Sequence, residues 1–125
     1  MARSALGSGW VAAGALGCAL SVALGAFGAH ALRARLDARS LELWGTAAQY
    51  LMYGALGVLA VGLSVRGGLP AAARAGWALA AGTAIFSGTV AALALGGPRW
   101  LGAVTPVGGT LMIAGFLLFA WAALR

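Results

Sequence analysis

The stretch 6-LGSGWVAAGALGCALSVALGAFGA-29 runs without a single charged residue. A helix rising 1.5 Å per residue needs about 20 apolar positions to cross the roughly 30 Å of bilayer hydrocarbon, so this segment is long enough to span a membrane unaided. Arg3 before it and Ala29-His30-Ala31 at its end imitate a secretory leader with an A-x-A cleavage site. The apolar run is too long for the core of such a leader, and we expect a retained span. Cys18 follows Ala15-Leu16-Gly17, which places leucine one position off a lipoprotein signal; an inert apolar-helix cysteine is the expectation.

Outward from this segment the same pattern recurs. Apolar runs cover about 47–65, 75–96 and 105–124, which with 6–29 predicts one transmembrane domain of four spans over residues 1–125. The connections, His30 to Thr46, Arg66 to Arg74 and Gly97 to Val104, are short, so neighbouring spans run antiparallel. The fold class is therefore all-α, an integral membrane up-down four-helix bundle. Composition agrees: 62% of the 125 residues are hydrophobic and only 8% are charged, against about 25% charged in ordinary soluble domains. Ten formal charges cannot cover a water-soluble globule of this size.

The net charge of +6 comes from eight arginines. They lie between or beside apolar runs rather than along one helix face, as residues drawn to lipid headgroups do, so membrane lipids and not nucleic acid are the expected partner. Arg3, Arg66, Arg74 and Arg125 fall on the side of the termini; Arg33, Arg35, Arg39 and Arg99 fall on the other. The count is a tie, and the absence of acids on the first side points to cytoplasmic termini. Tryptophans 10, 44, 77, 100 and 121 stand near span ends, where aromatic belts form. Leu32, Leu36, Leu41, Leu43 and Trp44 alternate with charges in the first connection, which either lies in the interface or extends span two, with Ser40 as its N-cap.

Helices in lipid associate through close packing, which small residues permit. Span one carries Ala13, Gly17, Ser21, Gly25 and Ala29 at four-residue spacing, and span three carries Gly76, Ala80, Ala84, Gly88, Ala92 and Gly96. These two ridges are the expected helix contacts. Part of a ridge is also open to another copy of the chain or to a different membrane protein, so homo-oligomerisation is an expectation too.

Polar groups inside hydrocarbon are costly unless paired. Gln49, Tyr50 and Tyr53 share one face of span two; with His30, Ser87 and Thr105 they outline a polar pocket open toward the first and third connections. The bland reading of the same groups is interhelical glue. Thr105-Pro106 is read as N-cap and first residue of span four, with Gly108, Gly109 and Arg99 beside it as a lipid-phosphate site. His30 lacks the second strong ligand that metal or haem needs and reads first as a C-terminal cap, with a titrating switch as the alternative. Asp37 and Glu42 are interfacial, and no acid lies inside a span. Neither a metal, a cofactor, nor a catalytic set is expected, and the chain is read as a non-enzymatic accessory, scaffold or lipid-associated protein. The alternatives are a conduit for a small polar or amphiphilic solute through the polar half-bundle, and a membrane enzyme or quinone-binding module around His30 and the tyrosines.

Leu24-Gly25-Ala26-Phe27-Gly28-Ala29-His30 resembles a signature of the domain-of-unknown-function 423 family, small bacterial inner-membrane proteins similar to the transmembrane protein 256 group. Trp44, Thr46 and Tyr50, then Phe86-Ser87-Gly88 with Leu93-Ala94-Leu95, then Thr105-Pro106-Val107-Gly108-Gly109 follow in order over nearly the whole chain. The resemblance implies four spans in the inner membrane and assigns no biochemical role. One departure stands out. The family pattern places a second histidine just after the tyrosine motif, where this chain has Gly54.

Overall fold

The computed structural model describes residues 2–125, with side chains from Ala5 onward; the side chain of Arg3, counted in the arginine balance, lies outside them. Four helices follow one another: α1 (Ala2–Phe27), α2 (Ala38–Arg66), α3 (Ala72–Ala94) and α4 (Leu101–Leu124), with a π-helical turn at Gly28–Leu32 closing α1. All four are long and apolar enough to cross a membrane. The protein is an all-α, up-down four-helix membrane protein. Each helix packs on its neighbours in sequence, α1 on α2, α2 on α3 and α3 on α4, while α2 only grazes α4.

The ends are set by local chemistry. Both α2 and α3 stop in Schellman motifs. At the first, the Leu69 amide donates to the Ser64 carbonyl at 2.9 Å and the Gly68 amide to Val65 at 3.2 Å; at the second, Gly97 donates to Ala92 at 2.8 Å and Gly96 to Leu93 at 3.1 Å. Gly68 and Gly96 take φ of +102° and +93°, the left-handed turn that the motif requires. Pro70 and Pro98 follow directly and bar continuation.

The start of α2 decides between the two readings of the first connection and corrects the cap. The amphipathic segment is helical, so α2 begins at Ala38 rather than near 47, and its 29 residues reach about 43 Å, more than the hydrocarbon thickness. Its N-cap is Asp37 and not Ser40: the Asp37 carboxylate accepts from the Ser40 amide at 2.8 Å. Hydrogen bonds from the Ser40 amide and hydroxyl, aided by Arg39, hold the Asp37 carboxyl below the ordinary carboxylate value. A depressed carboxylate stabilises above its unfolded value and loses that contribution as pH falls through the folded one. Asp37→Ala is therefore expected to speed amide exchange at Ser40 at neutral pH, with wild type and variant becoming alike once acid protonates Asp37. Unchanged exchange at neutral pH would count against the cap.

The small-residue contacts also differ from expectation. On α1 and the π-helical turn that closes it, the packed positions are Gly7, Gly14, Ser21 and Gly28, seven residues apart, and they meet Gly62, Ala55, Ala48 and Trp44 of α2 in antiparallel order. A Cβ at Gly14 would stand 2.5 Å from the Leu59 amide nitrogen and 2.7 Å from the Ala55 carbonyl oxygen. Sevenfold spacing is what two helices in a left-handed crossing of about +20° require. Of the predicted ridge, Gly17 approaches Ala55, and Ser21 is buried with its hydroxyl donating to the Ala48 carbonyl at 2.6 Å. Ala13 and Ala29 are exposed, and Gly25 has no atom of another helix near a Cβ site. On α3, Gly76 packs against Val61 and Trp10, whereas Ala84 and Gly88 are exposed. Close approach of α3 to α4 falls instead at Gly82 and Phe86, whose backbones face that of Gly108. Ala13 and Gly17 instead face Ala80 and Ala84 across a crevice of about 180 Å³ between α1 and α3.

Two apolar clusters anchor the helices. Trp10, Val58, Val61, Val65, Ala72, Ala75 and Leu79 form one toward the α2–α3 connection; Leu32, Trp44 and Ala94 form the other at the opposite end. Trp77, Trp100 and Trp121 are exposed as a belt would have them, but Trp10 and Trp44 are buried at 7% and 8% exposure and serve packing.

Candidate functional site

Trp44 sits where the predicted signature closes on α2. Its indole lies in the notch left by Gly28, its N–H donates to the Leu24 carbonyl at 2.7 Å, and the Phe27 ring stands 6.3 Å away, centroid to centroid. Leu24, Phe27 and Gly28 therefore act together as a clasp for one aromatic side chain. The π-helical turn that begins at Gly28 widens the end of α1 at this point. On one side of the clasp a cavity of about 260 Å³ opens, lined by Gly25, Gly28, Ala29, Arg33, Leu41, Trp44 and Gly45.

The structure does not assemble the predicted polar pocket. His30 is exposed on the π-helical turn, and among the described residues no group of three His, Cys, Asp or Glu gathers. Gln49 donates within its own helix to the Tyr53 hydroxyl at 2.6 Å. Tyr50 packs against Tyr53 and Phe86, with centroids at 5.1 and 4.8 Å. These rings line a crevice of about 330 Å³ between α2 and α4, floored by Phe86 and closed by Met112, Ile113, Phe116 and Gly109. That crevice is apolar in its lining, and Gln49, which is exposed, does not enter it. Ser87 is buried elsewhere, its hydroxyl without a partner, as are the Thr83 hydroxyl and the Trp10 N–H among the described residues.

The predicted lipid-phosphate site does not form either. Helix α4 begins at Leu101, so Thr105 and Pro106 lie inside it and neither caps it. The Thr105 hydroxyl is 2.7 Å from that of Thr89 and 3.0 Å from the Leu101 carbonyl, a polar link between α3 and α4. Gly108 is buried against the backbone of Gly82 and Phe86, out of reach of a phosphate, while Arg99 is exposed in the preceding connection. Thr89 went unnoticed in the sequence, as did Gly7 and Gly14; the sevenfold recurrence of small residues was the available signal for the glycines.

Gly54, where the family pattern departs, faces Thr83 so closely that a Cβ there would coincide with the threonine hydroxyl. No larger side chain fits at 54 while Thr83 holds its place. The absence of a histidine is thus matched by a threonine on the facing helix.

Residues 24–109 match the family described as "Protein of unknown function (DUF423)". The chain is similar to a UPF0382 membrane protein of Staphylococcus epidermidis, 42% identical over 90% of this chain and 92% of that one. It is similar to the UPF0382 membrane protein YwdK of Bacillus subtilis, 38% identical over 90% and 93%. A UPF0382 membrane protein of the yeast Schizosaccharomyces pombe is 39% identical over 78% and 86%. No solved structure matches.

Proposed function

The chain belongs to the DUF423 family of membrane proteins, and from that premise we propose that it is a non-enzymatic, lipid-associated scaffold of the bacterial inner membrane. The observation that carries this reading is where the free volume lies. Leu79, Val61 and Val65, toward the α2–α3 connection, have no exposed surface, whereas the crevices are lined by apolar residues between neighbouring helices. A conduit needs polar groups aligned through the membrane. Here His30, Ser87 and Thr105 occupy separate surroundings, and the crevice beside the tyrosines is lined by Phe86 and other apolar residues.

Reconstituted into vesicles, the protein is expected to leave the efflux of small polar solutes such as glycerol and urea at the rate of protein-free vesicles. A saturable efflux above that rate would replace the scaffold with a transporter. Association with further copies of the chain or with another membrane protein belongs to the same proposal, supported by the room between α1 and α3.

We place both termini in the cytoplasm, on the ground that Asp37 and Glu42 both accompany the opposite side. A fluorescent reporter that matures only in the cytoplasm, fused after Arg125, is expected to glow. Activity of an exported phosphatase at the same point would invert the topology.

A further inference from the structure

We propose that the cavity beside Trp44 is a binding site for one anionic glycerophospholipid, its acyl chain in the cleft between α1 and α2 and its phosphodiester on Arg33. This rests on the lipid-associated reading above and names the class of lipid. The cleft exists because of what is missing from its walls: a Cβ at Gly25 or at Gly45 would meet nothing within 4 Å, although Gly28 between them is filled by the indole. Leu41 and Trp44 supply the remaining apolar surface, so the roughly 260 Å³ space suits hydrocarbon. The Trp44 N–H is spent on the Leu24 carbonyl and offers a ligand no further polar contact.

Arg33 is the one charged residue lining the space, and it is exposed beyond the end of the π-helical turn. There a guanidinium meets headgroups and not acyl chains, and its planar fork matches two oxygens of a phosphodiester. A zwitterionic headgroup presents the same phosphate with a cation attached, so net negative charge is what Arg33 selects. The apolar cleft sets retention and the arginine sets discrimination.

The test is native mass spectrometry of the full chain released from vesicles of equal parts phosphatidylcholine and phosphatidylglycerol. Wild type is expected to retain one phosphatidylglycerol per chain with about fivefold preference, the order expected for one interfacial arginine. Arg33→Gln should keep lipid but lose the preference. Gly45→Leu and Gly25→Leu, which fill open space, should lose the retained lipid while the melting temperature stays at the wild-type value. Equal retention of both lipids by wild type, undiminished preference in Arg33→Gln, or displacement of the lipid by inorganic phosphate alone would overturn the site. The solute-efflux measurement on the same vesicles separates the two readings: rapid efflux with selective lipid retention removes the scaffold and leaves the site, and the converse removes only the site.

Discussion

Trp44→Ala is expected to cost about 3–5 kcal/mol of stability, the range for deleting a large buried aromatic. Trp44 is 8% exposed and belongs at once to α1, α2 and the end of α3: it fills the Gly28 notch, bonds the Leu24 carbonyl and shares a cluster with Leu32 and Ala94. Truncation empties the notch and frees the turn after α1 together. Trp44→Phe keeps most of the ring and removes the N–H, which isolates the hydrogen bond at about 1 kcal/mol. Reversible unfolding in mixed micelles measures both. An alanine variant within about 1 kcal/mol of wild type would show that the signature around Gly28 has some purpose other than seating this ring.

Gly14→Leu is expected to separate α1 from α2. A Cβ at this position would meet main-chain atoms of Leu59 and Ala55, which cannot rotate away as a side chain can. Overpacking that side chains absorb costs about 1–3 kcal/mol, and a backbone obstacle leaves rigid displacement of the helix as the remaining relief. Gly9→Leu on the same helix is the control, since nothing lies within 4 Å of its Cβ site. The Gly14 variant should melt well below wild type, with Ser21 losing its bond to Ala48; the Gly9 variant should melt with wild type. Equal melting of the two variants would remove the sevenfold seam from the account of packing.

The four spans were legible because hydrocarbon imposes a length and a composition that no other environment rewards together. Their contacts were harder to read. Ser21 belongs to both the four-residue series and the true seven-residue series, and with 21 glycines in the chain small residues supply ridges in many registers. Only the crossing geometry selects Gly7, Gly14 and Gly28 over Gly25. The same holds for caps: Ser40 and Thr105 are good capping residues by type, but Asp37 stands one turn earlier and can use the Ser40 amide, and α4 is already wound when it reaches Thr105. The polar set failed for a further reason. Sharing a face of α2 put Gln49 and Tyr53 within reach of each other, so Gln49 satisfied itself locally instead of reaching across. The motif carried by the resemblance proved the most informative stretch, because Leu24, Phe27 and Gly28 all converge on one partner.

That each helix rests on the one before it has a bearing on how the chain is made. A protein leaving the ribosome offers its segments in turn, and here each new helix finds its principal neighbour already in the bilayer. Biogenesis can therefore advance like a folding screen opened panel by panel, with only the tryptophan faces of α1 and α2 held in reserve for α3.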